Sequence, residues 1–461
     1  MEGSQKLNRT AFTTDRSWEF LSKKELIAQT SHQPDDWPLV LAKELIDNAL
    51  DACEEAGIPP KIDVFVKDGT FTVSDNGPGI PPEVVEGVLD FTTRVSSREA
   101  YVAPDRGAQG NALKTILAMP YALDPDRRGP VVEISAKAVR HKIGLEVNPI
   151  RQKAKPRHSP YPDEIAGNGT AICVYWANGV RENGEDRNDS PCSILREAKP
   201  QFLQFVENFA WLNPHAEFSV RWDDEHRAYT TADKRWAKWR PSDPTPPCWY
   251  GLEHLERLIA AYLAKDEATG RQRTVREFVA EFRGLSGTGK QKKVLEECGL
   301  SRAKLADLAG EEGIDRAVVQ RLLDAMKRQS KPVPAAKLGV IGRDLIARRF
   351  DSLGCEMDSF RYKKLAKVSD GLPTVLEAAF AWCPTLNERR LVTGVNFSPA
   401  ICDPFRELDS SKLGLDGLLI DQWADGMQPV VVFLHLTHPR PQFSDRGKSA
   451  LVLEKEQRHA R

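Results

Sequence analysis

The sequence predicts a mixed α/β fold of the α+β kind, and three observations carry that prediction. Residues 41–52, LAKELIDNALDA, set Leu41, Leu45, Ile46, Ala49 and Leu50 at helical spacing, the pattern of an amphipathic helix packed on a sheet. Two strand-like runs follow, KIDVFVK at 61–67 and TFTVSD at 70–75, with Asp68-Gly69 turning between them. Strand-like runs return near the end of the chain, GVNFSPAI and PVVVFLHLTH, after a helical stretch at about 252–330.

A chain of 461 residues has room for about two to four domains. Hydrophobic residues make up 41% and charged residues 28%, a globular profile with enough apolar material for a proper core. Lys plus Arg number 65 against 66 for Asp plus Glu, so the whole chain has no strong basic field and any nucleic-acid surface must be a local patch. The eight cysteines, at 53, 173, 192, 248, 298, 355, 383 and 402, form no CxxC pair and have no histidine at metal spacing. That argues against a disulfide scaffold or a zinc site and for reduced thiols in a cytoplasmic protein. The N-terminus has no apolar signal core and no run is long enough to span a bilayer, so no membrane partner is expected.

In chain order, residues 1–15 read as a polar arm, followed by a short helix, SWEFLSKKELIAQ, packing through Trp18, Phe20, Leu21 and Leu26. Pro34 and Pro38 are expected to break the chain before the 41–52 helix, and Gly57 with Pro59-Pro60 to stop it. On that helix Glu44, Asn48 and Asp51 fall at i, i+4 and i+7, one line close to the apolar stripe. An amide oxygen for a metal and a carboxylate to orient or deprotonate water are what a magnesium-and-water site needs. An ordinary helix with acidic residues near its interior edge would carry the same residues.

The loop after the second strand is Asp75-Asn76-Gly77-Pro78-Gly79-Ile80. A carboxylate at the end of a buried strand can accept the exocyclic amine of adenine, while Gly77 and Gly79 leave space for the ring. DxGxG alone also fits any tight turn, and its weight comes from the ExxxN pair about thirty residues upstream. Next comes the polar, lid-like TTRVSSREAYVAPDR, then Gly107-Ala108-Gln109-Gly110-Asn111-Ala112-Leu113-Lys114 running into an apolar helix. Glycines before a helix N-terminus bare backbone N–H groups to a phosphate, and Lys114 adds a point charge. The spacing matches neither a P-loop nor a dinucleotide fingerprint. Gly169-Thr170-Ala171-Ile172-Cys173-Val174 reads as a strand whose first hydroxyl could support a water or the Asp75 carboxylate, or could be a plain strand threonine.

In this order ELIDNALDA, DNGPG, RGAQGNALK and GTAICV resemble the Bergerat-fold (GHKL) ATPases of the gyrase, chaperone, histidine-kinase and MutL class. The resemblance implies ATP and Mg2+ as cofactors, Glu44 as general base, Asn48 as magnesium ligand, Asp75 as adenine anchor and Gly77 and Gly79 as pocket glycines. It places Gly107, Gly110 and Lys114 on the phosphates and Thr170 in the adenine network, and extends the nucleotide set to Thr93, Arg94, Gln109, Asn111 and Ala112. Ala112 stands where the family often has the last glycine of GxxGxG, a change also found in MutL-like relatives.

The remainder selects a branch. NFAWLNPHAEFSV resembles the stretch closing the ATPase domain in the B subunit of topoisomerase VI, and PSDPTPPCWYG at 241–251 reads as a linker. Phe282-Arg283-Gly284-Leu285-Ser286-Gly287-Thr288-Gly289-Lys290 resembles the helix-two-turns-helix insert of that family. With Lys292 and Lys293 it could hold a DNA phosphate, or it could be a structural turn. Residues 331–461 look like the transducer of the same family, which makes Lys448, in Asp445-Arg446-Gly447-Lys448-Ser449, the candidate switch lysine reaching the γ-phosphate. The expected division is therefore an N-terminal strap and ATPase domain at 1–240, a helical domain at 241–335 and a transducer at 336–461.

The resemblance implies a homodimer gate closed by ATP, acting on double-stranded DNA with a separate topoisomerase VI A-like cleavage subunit. Thirteen residues follow Lys448, where the family's transducer continues in a long helix, which puts attachment to such a cleavage subunit in doubt. Asp416, Asp421 and Asp425 fit a turn and a helix face better than a Toprim cluster, so this chain alone is expected not to cut DNA. Two other readings stand beside the gate subunit: a stand-alone DNA clamp or compaction ATPase like the MORC proteins, and a nucleotide-binding scaffold with little turnover.

Overall fold

In the computed structural model the structure describes residues 21–89, 100–106, 112–125, 129–148, 153–163, 168–176, 191–310, 313–406, 414–445, 447 and 449–452. Helix α1, Lys23–Thr30, opens on Ser22, whose hydroxyl accepts from the Glu25 N–H, and closes on Ser31 in the left-handed conformation. Helix α2 spans Trp37–Glu55. The expected break at Pro38 is corrected here, since Pro38 sits in the first turn of α2 and Pro34 opens a 3-10 turn just before it. A first-turn N–H has no helical partner to lose, and the ring presets φ for the helix, so proline starts α2 instead of ending the preceding segment. All five stripe residues, Leu41, Leu45, Ile46, Ala49 and Leu50, are buried.

Strands β1, Lys61–Lys67, and β2, Thr70–Asp75, pair antiparallel with Val64 opposite Val73. Their turn places Asp68 and Gly69 at φ 50° and 71°, the geometry that the Asp-Gly dipeptide favours. Helices α3, Pro82–Val88, and α4, Ala112–Leu123, come next. Strands β3, Val132–Ala136, β4, Val139–Asn148, β5, Lys153–Pro162, and β6, Thr170–Tyr175, follow. Helices α5, Pro191–Glu197, and α6, Lys199–Leu212, lead into β7, Glu217–Trp222, and β8, Glu225–Tyr229. The eight strands form one sheet in the order β5-β4-β3-β6-β2-β1-β7-β8, in which β1 lies parallel to β7 and the other neighbours run antiparallel. The inward faces of β1, β2, β3 and β6 share one core with α2, α4 and α6. This places the C-terminal end of β2 and the start of β6 beside α2.

The proline-rich stretch at 241–251 is not the loose linker its composition predicts. Trp249 and Tyr250 are buried, and the Tyr250 hydroxyl meets the Thr245 hydroxyl at 2.7 Å and accepts from the Val102 N–H. Two aromatic anchors outweigh the local proline content. They belong to a second core built by α7, Leu252–Thr269, α8, Val275–Ala280, α9, Thr288–Cys298, and α10, Arg316–Gln329. The short strands β9, Ala309–Gly310, and β10, Gly313–Ile314, pair between α9 and α10.

The C-terminal layer starts with α11, Arg343–Ser352, and contains β11, Arg361–Ser369, β12, Leu372–Trp382, β13, Arg390–Val395, and β14, Ser398–Pro399. Helix α12, Gly414–Asp421, and β15, Val430–Thr437, complete it. The sheet order is β11-β12-β15-β13-β14, with β15 buried at every position and running parallel to β13. The edge strand β11 exposes Lys363, Lys364 and Lys367, which discourages pairing with another strand. Among the described residues no helix is long and apolar enough to cross a membrane.

Candidate active site

The line Glu44, Asn48, Asp51 on α2 does not stay in one environment. Glu44 is half-buried, Asn48 is exposed, and Asp51 is buried, where its Oδ1 accepts from Arg106 Nη1 at 2.5 Å. Only the first two therefore remain together as a carboxylate and an amide within reach of solvent. Asp51 is an internal ion-pair partner, a role its helical spacing could not reveal.

Beside α2, the loop after β2 is tied to β6. Asp75 Oδ1 accepts from the Gly77 N–H at 2.8 Å and the Thr170 N–H at 3.3 Å, which leaves Oδ2 for a ligand. Thr170 in turn accepts from the Ile80 N–H through Oγ1 at 3.2 Å. Burial raises the Asp75 pKa above its ordinary value, opposed by the bonds from Gly77 and Thr170. The glycines are sterically required. A Cβ on Gly77 would lie 2.9 Å from Asp75 Oδ1, and one on Gly169, at φ +113°, would lie 1.9 Å from the Asp75 carbonyl oxygen. Asn76 fixes the loop from the other side, accepting from the Lys61 N–H at 2.8 Å and donating to the Pro59 carbonyl at 3.0 Å. Cys53 lies against this loop as a protonated thiol, pushed up to about 12 by burial and the nearby Asp75.

Helix α4 begins at Ala112, and Lys114, expected to add a point charge beside the phosphates, is 1% exposed in its first turn. Thr93, Arg94, Gly107, Gln109, Gly110, Asn111 and Lys448 lie outside the described residues. The neighbours of Lys448 are described. A Cβ on Gly447 would lie 2.0 Å from the Thr30 carbonyl, and Asp445 accepts from the Ser31 hydroxyl at 3.2 Å and from the Ser449 N–H at 2.9 Å. Asp445 and Gly447 therefore lie against the end of α1, just ahead of α2.

The sequence motif at 282–290 forms one wall of a separate cleft. Arg283, Lys290, Lys331 and Lys337 line a space of about 240 Å³ with Pro332, Val333 and Pro334, and every charged side chain on it is cationic. Lys290 also donates to the Gly284 carbonyl at 2.8 Å and Gln291 to the Leu285 carbonyl at 3.0 Å, so the turn has a structural role too.

Residues 36–115 match the family model described as histidine kinase-, DNA gyrase B-, and HSP90-like ATPase. The B subunit of the type 2 DNA topoisomerase 6 of Archaeoglobus fulgidus is 26% identical over 455 residues, covering 94% of this chain and 69% of that protein. The chain resembles the B subunit of topoisomerase VI. The protein of the same name from Sulfurisphaera tokodaii is 24% identical over 441 residues, or 89% of this chain and 74% of its own length. The first layer has the GHKL ATPase fold, and likeness to the topoisomerase VI B subunits extends well beyond it through the helical and C-terminal layers. A solved structure, the Aquifex aeolicus MutL ATPase domain complexed with ADP, aligns with 86% of this chain and 91% of its own at 13% identity and a TM-score of 0.32.

Proposed function

We propose that this chain is an ATP-binding and ATP-hydrolysing gate subunit that dimerises with ATP and acts on DNA with a separate cleavage subunit. The observation that carries the nucleotide part is the cradle at the end of β2. There Asp75 spends one oxygen on the Gly77 and Thr170 N–H groups and keeps the other, and glycines stand where any side chain would fill the space. An ionised carboxylate oxygen in that position accepts the exocyclic amine of adenine, and Thr170 holds the loop through Ile80.

From the cradle the phosphates extend along α2, past Asn48 and Glu44. Among the described residues no group of three His, Cys, Asp or Glu could hold a metal, but magnesium needs only one or two protein oxygens when phosphates and water complete its shell. Asn48, exposed on α2, fits that part. Magnesium, when bound, would supply charge neutralisation across the phosphates. Glu44 takes the proton of a water whose oxygen attacks the γ-phosphorus as the bond to the β-phosphate oxygen breaks. By its resemblance to the family's switch lysine, Lys448 is a further contact to the γ-phosphate.

The DNA part rests on the cationic cleft, a local patch on a chain of formal net charge −1. The partner part rests on the relatives' name as the B subunit of a type 2 DNA topoisomerase. The test of turnover is Glu44→Ala in the full chain. It should bind ADP and an ATP analogue as the parent does while hydrolysis falls about 10²- to 10⁴-fold. Loss of binding together with turnover would give Glu44 a different task.

A further inference from the structure

Beside Glu44 and Asn48, α2 carries a second line of side chains that the nucleotide reading does not use. Arg106, with a side chain 0% exposed, bonds Asp51 Oδ1 at 2.5 Å and grips Glu54 through both terminal nitrogens at 2.8 and 2.7 Å. It also donates to Asn213 Oδ1. Glu54 further accepts from Lys238 Nζ at 2.8 Å and contacts His215 Nε2 at 2.9 Å. Asp47 Oδ2 takes Lys43 Nζ and Ser398 Oγ, each at 2.7 Å. Three buried carboxylates of α2 thus meet three cations, one on α2 itself, one directly before the glycine run at 107–110, and one in the segment leading out of the first layer.

The C-terminal layer closes this set with three consecutive residues. The turn between β13 and β14 holds Asn396 and Phe397 at φ 52° and 66°, a conformation that an aromatic residue keeps only when its surroundings enforce it. His435 Nε2 enforces it by accepting the Phe397 N–H at 3.0 Å. In that shape Asn396 donates to the Asp105 carbonyl at 3.2 Å, Phe397 accepts from Asn213 Nδ2 at 2.9 Å, and Ser398 reaches Asp47. Asp105 immediately precedes Arg106, and Lys43 and Asp47 immediately precede Glu44 and Asn48.

From this arrangement we propose that Arg106 and the Asn396–Ser398 turn are positioning residues for ATP hydrolysis. They fix α2 and the entry to the glycine run in one register only while the C-terminal layer is docked. The inference rests on Glu44 being the base. Its physical ground is that buried charges have no water to fall back on, so withdrawing one partner leaves another uncompensated and the set holds or fails as a unit. One contact in the set has slack. Asp47 Oδ1 and Arg106 Nε face each other at 3.9 Å, and neither has a hydrogen-bond partner among the described residues.

The test is the double variant Asn396→Ala/Ser398→Ala in the full chain, which keeps the backbone bonds of the turn to His435 and Asn213. The measurements are kcat and KM for ATP, the Kd for ADP, the melting temperature, and amide hydrogen exchange across residues 40–50 and 105–106. The expected result is a kcat about 10-fold lower or worse, ADP affinity within about twofold of the parent, and faster exchange around Glu44 and Asn48. Arg106→Lys, which keeps the charge and loses the fork, should lower kcat in the same sense. Unchanged exchange in the double variant overturns the proposal whatever turnover does. A fall in kcat that comes with lost ADP binding and a lowered melting temperature overturns it too, because the set would then be structural only. If the parent shows no turnover that depends on Glu44, the reading of the active site fails, and exchange alone decides the positioning claim.

Discussion

Asp75→Asn separates the two tasks that Asp75 combines. The amide oxygen of asparagine can still accept from Gly77 and Thr170, so the loop keeps its bonds, but an NH2 group then stands where Oδ2 is proposed to meet adenine. The adenine amine would face a donor in place of a charged acceptor. A hydrogen bond to a charged group is worth about 1.5–3 kcal/mol, which converts to about a 10- to 150-fold loss of affinity at tenfold per 1.4 kcal/mol. Stability should move the other way. Burial raises the folded-state pKa of Asp75, so the folded protein favours its neutral form. The stability from that preference is full below the unfolded pKa and lost as pH rises through the folded value, so at pH 7 the charged form is a burden that the amide removes. Isothermal titration with ADP and a thermal melt at pH 7 measure both quantities. Nucleotide affinity of the parent should also fall on acidification as Asp75 protonates. Affinity within about threefold of the parent would move adenine recognition elsewhere, and weak binding with a much lower melting point would make Asp75 a structural residue.

Gly169→Ala should unseat the cradle. A Cβ there lies 1.9 Å from the Asp75 carbonyl oxygen at φ +113°, a conformation that costs about 1–3 kcal/mol before the overlap is counted. The variant should melt lower and lose nucleotide, whereas parent-like melting would contradict the β2–β6 geometry. Lys331→Glu with Lys337→Glu should weaken duplex DNA binding about equally across sequences and flatten the salt dependence by about one unit of slope per lysine. Binding and slope equal to the parent's would take DNA away from this cleft.

The parts of the fold written in local periodicity were legible in the sequence. The five-residue stripe of α2, the β1–β2 hairpin with its Asp-Gly turn, and the start of β6 at Thr170 all follow from spacing. The glycines around Asp75 were legible because a tight ligand cradle and a tight turn need the same residue. Features set by distant packing were not. Asp51 shares a helical line with Glu44 and Asn48, yet Arg106 claims it, and the partners of Arg106 come from residues 51, 54 and 213. Proline content at 241–251 suggested a linker because composition does not register that Trp249 and Tyr250 have a core to enter. The burial of Lys114 in the first turn of α4 is likewise set by packing and not by its place after the glycine run.

The most direct test of the ATP-driven gate is the mass of the protein in solution without nucleotide, with ADP, and with a non-hydrolysable ATP analogue plus magnesium. The proposed function requires a dimer with the analogue that is absent or much weaker in the other two states. A monomer in all three would contradict the gate and leave a nucleotide-binding scaffold.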